Sequence, residues 1–417
     1  MNVLTIQGDV IHLEEHAYLL EKGSEEQTYK EIAWKFLFQP LSYQATGAER
    51  EQEIFAALEH VRTGVHLAAS DFSDFGKKVF ANIVKNMERL PRSYDGGRWF
   101  GAFENIPAVI CGAGPSFAKN SDCLKTIEGR ALLFGGGSAL NVLAHAGIVP
   151  HFAAGIDPDP PRDRWEGQAA LDIPFFYQHR VSSELLARVK GPRLFIKDGA
   201  AHPIEKWFYD HLPLLGPELE AGWNAATFST ALAVSLGCNP IIFVGLDLCL
   251  EEGKCYAPGV EGERKEAPKD WEMAGLWLEA LIQAHPHLRF INATEGGRGI
   301  AGAEAMQLKD IALSPQEDLR RKIRAQPLVF GPGAHESIHA LKQSLERCLE
   351  MYQAHLAFPL SRVAAVDEEI AYAHILAPLW NIWQHLFARH VPPDTFEGSL
   401  NRTLFFKNVT EQLLYAI

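Results

Sequence analysis

Five segments of this chain combine residue types that can do chemistry, and each one ends a short apolar run. Ala108–Cys111 runs into Gly112-Ala113-Gly114-Pro115-Ser116. A buried strand that meets glycines opening a helix leaves backbone N–H groups where a phosphate can sit, and the helix dipole favours the anion. Ser116 can cap that helix or donate its hydroxyl to a phosphate, and a plain tight turn with an N-cap would read the same way. The third glycine of GxGxxG is absent, Phe117 and Ala118 standing in its place, and no ribose-binding acid ends the next run, which disfavours a dinucleotide. That run ends instead in Gly135-Gly136-Gly137-Ser138, a second glycine-rich helix opening.

The other three segments carry acids and amides. Gly155-Ile156-Asp157-Pro158-Asp159 offers a carboxylate for ribose, metal or sugar, or the start of a turn before Pro160-Pro161. Asn224 opens a helix ahead of Ile241–Val244, as a cap or as a substrate contact, and Gly245-Leu246-Asp247 follows that strand. Asn292-Ala293-Thr294-Glu295-Gly296-Gly297-Arg298 closes the series. A competing motif, His335-Glu336-Ser337-Ile338-His339, matches HExxH, with Glu368 or Glu369 as a third zinc ligand. It starts directly after Gly331-Pro332-Gly333 on a surface-patterned helix, which argues against a metalloprotease.

Positioning these residues requires alternating strands and helices. Strands are expected at Ala108–Cys111, Leu132–Phe134, Phe152–Ala154, Phe175–Tyr177, Leu194–Ile196, Ile241–Val244 and Leu288–Ile291. Helices are expected at Ser138–Ala146, Glu184–Val189, Asn224–Leu236 and Trp271–Ala284. That alternation predicts an α/β fold with a mostly parallel, Rossmann-like central sheet, whose ligands bind at the carboxyl ends of the strands. Three zones follow: residues 1–100, α/β or mostly helical; 101–305, the Rossmann-like ligand-binding domain; and 306–417, helical. In the last zone His335–Tyr352, Ser361–Ala377 and Asn381–Ala388 read as helices, with Pro378 kinking or dividing the second. In the first, a short alternating start gives way to helical spacing at Phe55, Leu58 and Val61 and at Phe80, Ile83, Val84 and Met87.

Composition narrows the classes. The chain has 417 residues, 47% of them hydrophobic and 22% charged, enough apolar material for a sizeable core. A formal charge of -13 argues against nucleic acid as a main partner. No run reaches the roughly 20 apolar residues of a membrane span and no signal peptide is visible, so a cytoplasmic protein without a membrane partner is expected. The six cysteines form no CxxC pair and read as reduced thiols.

The runs PAVICGAGPSF, GGGSALNVLAHAGIVPHFAAGID, NAATFSTALAVSLGCNPIIFVGLDL and NATEGGRGIAGA, with Asn82 and Asn86 upstream, resemble the motility-associated factor (Maf) glycosyltransferases. The resemblance covers about residues 80–305 and implies an MptE-like domain related to bacterial sialyltransferases. It implies transfer of a nonulosonic acid (pseudaminic, legionaminic or sialic-type) from a CMP-activated donor to Ser/Thr of an acceptor protein such as flagellin, with no cofactor assigned and magnesium left open. Carried onto this chain, Gly112, Ala113, Gly114, Pro115 and Ser116 would hold the cytidine nucleotide with Gly137 and Ser138. Asp247 and Asp157 would be the candidate bases, with Glu295 third, while Asn224, Asn292 and Thr294 would line the substrate.

Three departures accompany the resemblance. Pro150-His151 stands where the family has Pro-Asp, Lys254-Cys255-Tyr256 where it often has Thr-His, and Trp223 and Phe228 where sialyltransferases place tyrosines. The same domain also admits MptE-type diphosphate transfer from ATP to a hydroxymethylpterin, with Asp157 and Asp159 holding magnesium, or nucleotide binding without catalysis. Oligomerisation through the helical zone stays open.

Overall fold

The early alternation of apolar residues builds a small mixed sheet. In the computed structural model, which describes residues 2–43, 48–165, 169–199, 202–212, 216–250, 254–260, 268–357, 366–387 and 396–417, β1 (Asn2–Gln7) pairs antiparallel with β2 (Val10–Leu13). β3 (His16–Leu19) pairs antiparallel with β2. Leu4, Ile6, Ile11 and Leu13 bury one face of this sheet. They pack with Ile32 of α1 (Glu25–Lys35), and β4 (Leu41–Tyr43) then joins β1 in parallel. The two helical patterns read from the sequence lie on one 41-residue helix, α2 (Glu49–Arg89). It stops where Pro91 enters a 3₁₀ turn.

The chain forms two compact units, one from residues 1–77 and 344–412, the other from 78–343 and 413–417. The sequence reading divides the chain instead near 100 and 305. The candidate residues of the five glycine-rich and acidic segments all fall in the second unit.

That unit is built on a nine-stranded parallel sheet. Its elements, in chain order, begin with β5 (Tyr94–Asp95), β6 (Ala108–Cys111), α3 (Phe117–Thr126), β7 (Leu132–Gly136), α4 (Ser138–His145) and β8 (Phe152–Gly155). β9 (Phe175–Tyr177), α5 (Ser183–Arg188), β10 (Arg193–Phe195), α6 (Pro203–His211) and α7 (Ala225–Ser235) follow. β11 (Ile241–Val244), α8 (Lys269–Ala284), β12 (Phe290–Asn292) and β13 (Glu304–Ala305) complete it. The seven expected strands are all present. The two-residue edge strands β5 and β13 are additions, too short to carry a pattern.

Both faces are buried, so the strands read as unbroken apolar runs rather than alternations. Ala108, Ile110, Leu132, Phe134 and Phe152 pack on one face with Phe228 and Leu232 of α7. Val109, Cys111, Leu133, Ile242 and Val244 pack on the other with Phe117 of α3 and Val142 of α4. Burial of Cys111 and Cys238 pushes their thiols up to about 12, which keeps them protonated and unreactive.

Strand order is β13-β12-β11-β6-β7-β8-β9-β10-β5. From β6 the chain advances strand by strand to β10, then returns through α7 to place β11 on the opposite side of β6. The topological switch point therefore lies between β6 and β11, and ligand crevices of open α/β sheets form at the carboxyl ends on either side of such a point.

Beyond the sheet, α9 (Leu319–Arg324), α10 (His335–Ala357), α11 (Ala377–Phe387) and α12 (Phe396–Ala416) are helical. The helix expected over Ser361–Ala377 is a 3₁₀ turn at Val366–Glu368 and a π-helical turn at Tyr372–Leu376, residues 361–365 lying outside the described ones. Pro378, the second residue of α11, has no N–H to continue the preceding ladder, and the turn before it widens. Among the described residues no helix is long and apolar enough to cross a membrane.

Candidate functional site

Sheet order brings the five sequence segments together. β12, β11, β6, β7 and β8 are consecutive neighbours, so their carboxyl-end loops form one continuous rim with the switch point inside it. The start of α7 joins the same rim: a Cβ added at Gly136 would lie 2.7 Å from Cβ of Ala225.

The Gly112–Ser116 loop corrects the expectation of bare donors. Gly112 N–H donates to Val244 O and Gly114 N–H to Gly245 O, both at 2.8 Å. Phe117 N–H donates to Gly114 O (3.0 Å), and Ser116 N–H donates to Asp247 Oδ2 (3.2 Å). These N–H groups are thus committed inside the protein, and a carboxylate of the same chain occupies the start of α3. Gly114 is required by that contact, because any Cβ there would overlap the Asp247 carboxylate. Ser116 is not a side-chain cap either. Its Oγ is buried with no hydrogen-bond partner, a polar group left pointing into protein at the rim.

Gly137 starts α4 at φ 53°, ψ −129°, a conformation that L side chains rarely adopt, and no side chain caps the helix at Ser138. Asn224 does cap α7: its Oδ1 accepts the N–H groups of Ala226 and Thr227, each at 3.0 Å, and its own N–H donates to Thr227 Oγ1 (2.9 Å). That oxygen is spent on the helix.

The three carboxylates sit in different surroundings. Asp247 is buried, and its carbonyl accepts the Arg298 N–H (2.9 Å) in addition to the carboxylate's bond to Ser116. The next residue, Leu248, has φ 52°, a left-handed strain of the kind that gathers at functional sites. Asp157 is solvent-accessible, and its Oδ1 accepts the N–H of Asp159 (2.9 Å). Crowding by the surrounding chain strips water from its carboxyl and pushes its pKa up, against the Asp159 N–H and the Arg180 charge that pull the other way. Glu295 is exposed at φ 58°, and its carbonyl accepts Lys119 Nζ (2.8 Å).

Asn292 and Thr294 knit the last loop to its neighbour. Asn292 Oδ1 accepts the Thr294 N–H (3.1 Å), and buried Thr294 Oγ1 accepts the Leu246 N–H (3.4 Å). The asparagines of α2 secure the opposite side. Asn82 Nδ2 donates to Pro158 O (2.9 Å) and Asn86 Nδ2 to His179 O and Val181 O (2.8 Å each). Ser182 N–H donates to Asp157 O at 2.9 Å. His151, a departure from the resembled pattern, is structural: its Nδ1 accepts the Leu133 N–H (3.0 Å), and burial lowers its pKa to about 4, keeping the ring neutral.

The HExxH histidines, His335 and His339, are both exposed, and His339 Nε2 lies 3.0 Å from Gln343 Nε2. Glu369 is held by Arg347 at 2.6 and 2.9 Å, which lowers its pKa. Among the described residues no three His, Cys, Asp or Glu side chains gather as a metal site.

Sequence reasoning missed one group at the rim. Arg164 stands over the Tyr256 ring at 5.0 Å, and Tyr256 meets Trp271 at 6.3 Å, interplanar angle 75°. Arg164 ends a short 3₁₀ turn and Tyr256 lies in irregular chain, so no periodicity marks them, while Trp271 sits in the first turn of α8.

Residues 81–253 match the family model described as 6-hydroxymethylpterin diphosphokinase MptE-like. The matched span contains the candidate residues of the glycine loops, Asp157, Asn224 and Asp247, but not Asn292, Thr294 and Glu295. The chain also superposes on the Maf glycosyltransferase of Magnetospirillum magneticum AMB-1 with a TM-score of 0.59 at 16% identity, over 95% of this chain and 67% of that one. No curated protein matches the chain. The chain therefore shares the fold of a Maf glycosyltransferase, with residues 81–253 similar to the MptE-like family.

Proposed function

We propose that this protein is a glycosyltransferase that moves a nonulosonic acid from a CMP-activated donor to a Ser or Thr hydroxyl of an acceptor protein such as flagellin. The observation that carries the reading is the continuous rim of β12, β11, β6, β7 and β8 at the switch point, with the accessible Asp157 and the buried Asp247 on it. The likeness in fold to a Maf glycosyltransferase supports the same reading.

The donor's leaving group is a nucleotide phosphate, stable once released. Catalysis then consists of holding that phosphate, stabilising an oxocarbenium-like sugar and removing a proton from the acceptor hydroxyl. The two aspartates suit different tasks. Asp157, accessible and with a raised pKa, is the better proton acceptor. Asp247, buried and bonded to Ser116, fixes the Gly112–Ser116 loop against the β11 loop. The strained turns at Leu248 and Glu295 belong to the nucleotide side of the rim, as does the Gly112–Ser116 loop, whose Ser116 Oγ is buried.

The description of the matching family model favours a second reading, diphosphate transfer from ATP with magnesium on Asp157 and Asp159. Asp159 is ion-paired with Lys78, which competes for the carboxylate that a metal would need.

The test is product analysis with purified full-length protein. Incubation with CMP-nonulosonates and flagellin, without magnesium, should release CMP and add the sugar's mass to the acceptor. Asp157→Asn should abolish transfer. In the wild type, kcat/KM should rise with pH through a value above the ordinary aspartate range, because the base works only when ionised and its pKa is raised. Magnesium-dependent consumption of ATP with a hydroxymethylpterin, and no CMP release, would establish the second reading instead.

A further inference from the structure

Trp223 directly precedes the residue that caps α7. The helix packs across β6, β7 and β8 and leads into β11, so its first residues lie at the carboxyl ends of those strands, where Ala225 meets Gly136 and Gly137. The backbone on both sides of the indole is pinned. Gly222 has φ 68°, and any Cβ there would overlap Thr227 and crowd Trp277, whose Nε1 donates to Glu220 Oε1 (3.1 Å). Thr227 Oγ1 donates to Ala221 O (2.8 Å), and Asn224 Oδ1 holds the first turn.

Leu219, Ala221, Ala226 and Trp277 around it pack into the core on that side of the sheet. Trp223 is not among them: its side chain is partly exposed and makes no ring contact or hydrogen bond among the described residues. A lone exposed apolar side chain needs no explanation in itself. This one is a large ring on a fixed backbone beside the crevice, and the chemistry of the helix end selects what it can meet. Asn224 Oδ1 takes the N–H groups of Ala226 and Thr227, so a phosphate finds those donors spent. An aromatic face is electron-rich, which disfavours a phosphate or the carboxylate of the sugar. The part of a nucleotide donor that matches it is the flat, uncharged base, and bases stack on such rings.

We propose that Trp223 stacks on the base of the donor nucleotide at the start of α7, beside the Gly135–Ser138 loop. This rests on the reading that the crevice takes a nucleotide. It also gives a role to a departure in the sequence: where sialyltransferases place tyrosines, this chain has a ring without a hydroxyl, and it contributes its face. Stacking tolerates any base, so Trp223 supplies affinity and leaves the choice of cytosine to other groups.

Calorimetry and indole fluorescence on the full chain in magnesium-free buffer, with CMP and ATP as probes, test the assignment. CMP affinity should fall about tenfold in Trp223→Ala and in Trp223→Leu, and Trp223→Phe, which keeps a ring, should retain most of it. Saturating CMP should quench part of the wild-type emission, and less of it in Trp223→Phe although that variant still binds. Wild-type affinity in Trp223→Ala and Trp223→Leu overturns the stacking while the proposed function stands. So does quenching in Trp223→Phe equal to that of the wild type, or a loss in Trp223→Phe as large as in Trp223→Ala. Should the wild type bind ATP but not CMP, with ATP following the same pattern across the variants, the stacking holds and the cytidine reading falls. If neither probe binds the wild type, both fall.

Discussion

Ser116 and Glu205 illustrate how single buried groups separate function from stability. A hydroxyl buried without a partner costs free energy, so Ser116→Ala should leave the melting temperature unchanged or raise it. If the hydroxyl serves the nucleotide, the same variant should bind CMP about two- to tenfold more weakly, the worth of one neutral hydrogen bond. Lower stability with unchanged CMP affinity would assign Ser116 to packing alone. Glu205 is wholly buried, and loss of water, then the adjacent charge of Asp198, pushes its pKa well above the usual range. Tyr209 donates its hydroxyl to Asp198 Oδ1 (3.0 Å), and the His202 N–H donates to Glu205 Oε2 (3.1 Å). A pKa raised in the folded state means that the folded protein holds the proton longer. The stability tied to Glu205 is therefore full below the ordinary glutamate value and is lost as pH rises through the raised one. Glu205→Gln keeps the shape and cannot ionise, so denaturant titrations across pH should show the wild type losing ground to this variant as pH rises. A difference independent of pH would contradict that assignment.

At the scale of elements, the seven central strands were legible because burial on both faces makes each a short apolar run with glycine or polar residues at its end. The pairing that makes them a site was not. Nothing in the local sequence says that β11 returns beside β6, and it is this return that sets Asp247 against Gly114. The same contact explains why the first glycine loop was misread: GAGPS predicts open N–H donors, and only the tertiary arrangement reveals that β11 and its loop take those of Gly112, Gly114 and Ser116. Asn224 was open to two readings, and its two N–H contacts give its oxygen to the cap. Gly114→Ala tests the contact directly. Its Cβ must displace the Asp247 carboxylate, which should cost about 1–3 kcal/mol in denaturant unfolding. Gly299→Ala, where nothing lies within 4 Å, should change little. Equal behaviour of the two variants would mean that the loops are not locked together.

For the molecule as a whole, the α/β class followed from the order of apolar runs, whereas the joining of residues 1–77 with 344–412 in one unit depends on contacts far apart in sequence. The HExxH motif shows the opposite hazard, a spacing that matches a metal site on an exposed helix with no third ligand gathered among the described residues. The central claim concerns the crevice at the β6–β11 switch point and the nucleotide it takes. Titration of CMP into the full-length protein in magnesium-free buffer, monitored by calorimetry, tests it most directly. The account predicts saturable CMP binding at submillimolar concentration, with NAD giving no comparable signal. Absence of CMP binding at millimolar concentration, or tight binding of ATP only when magnesium is added, would contradict it.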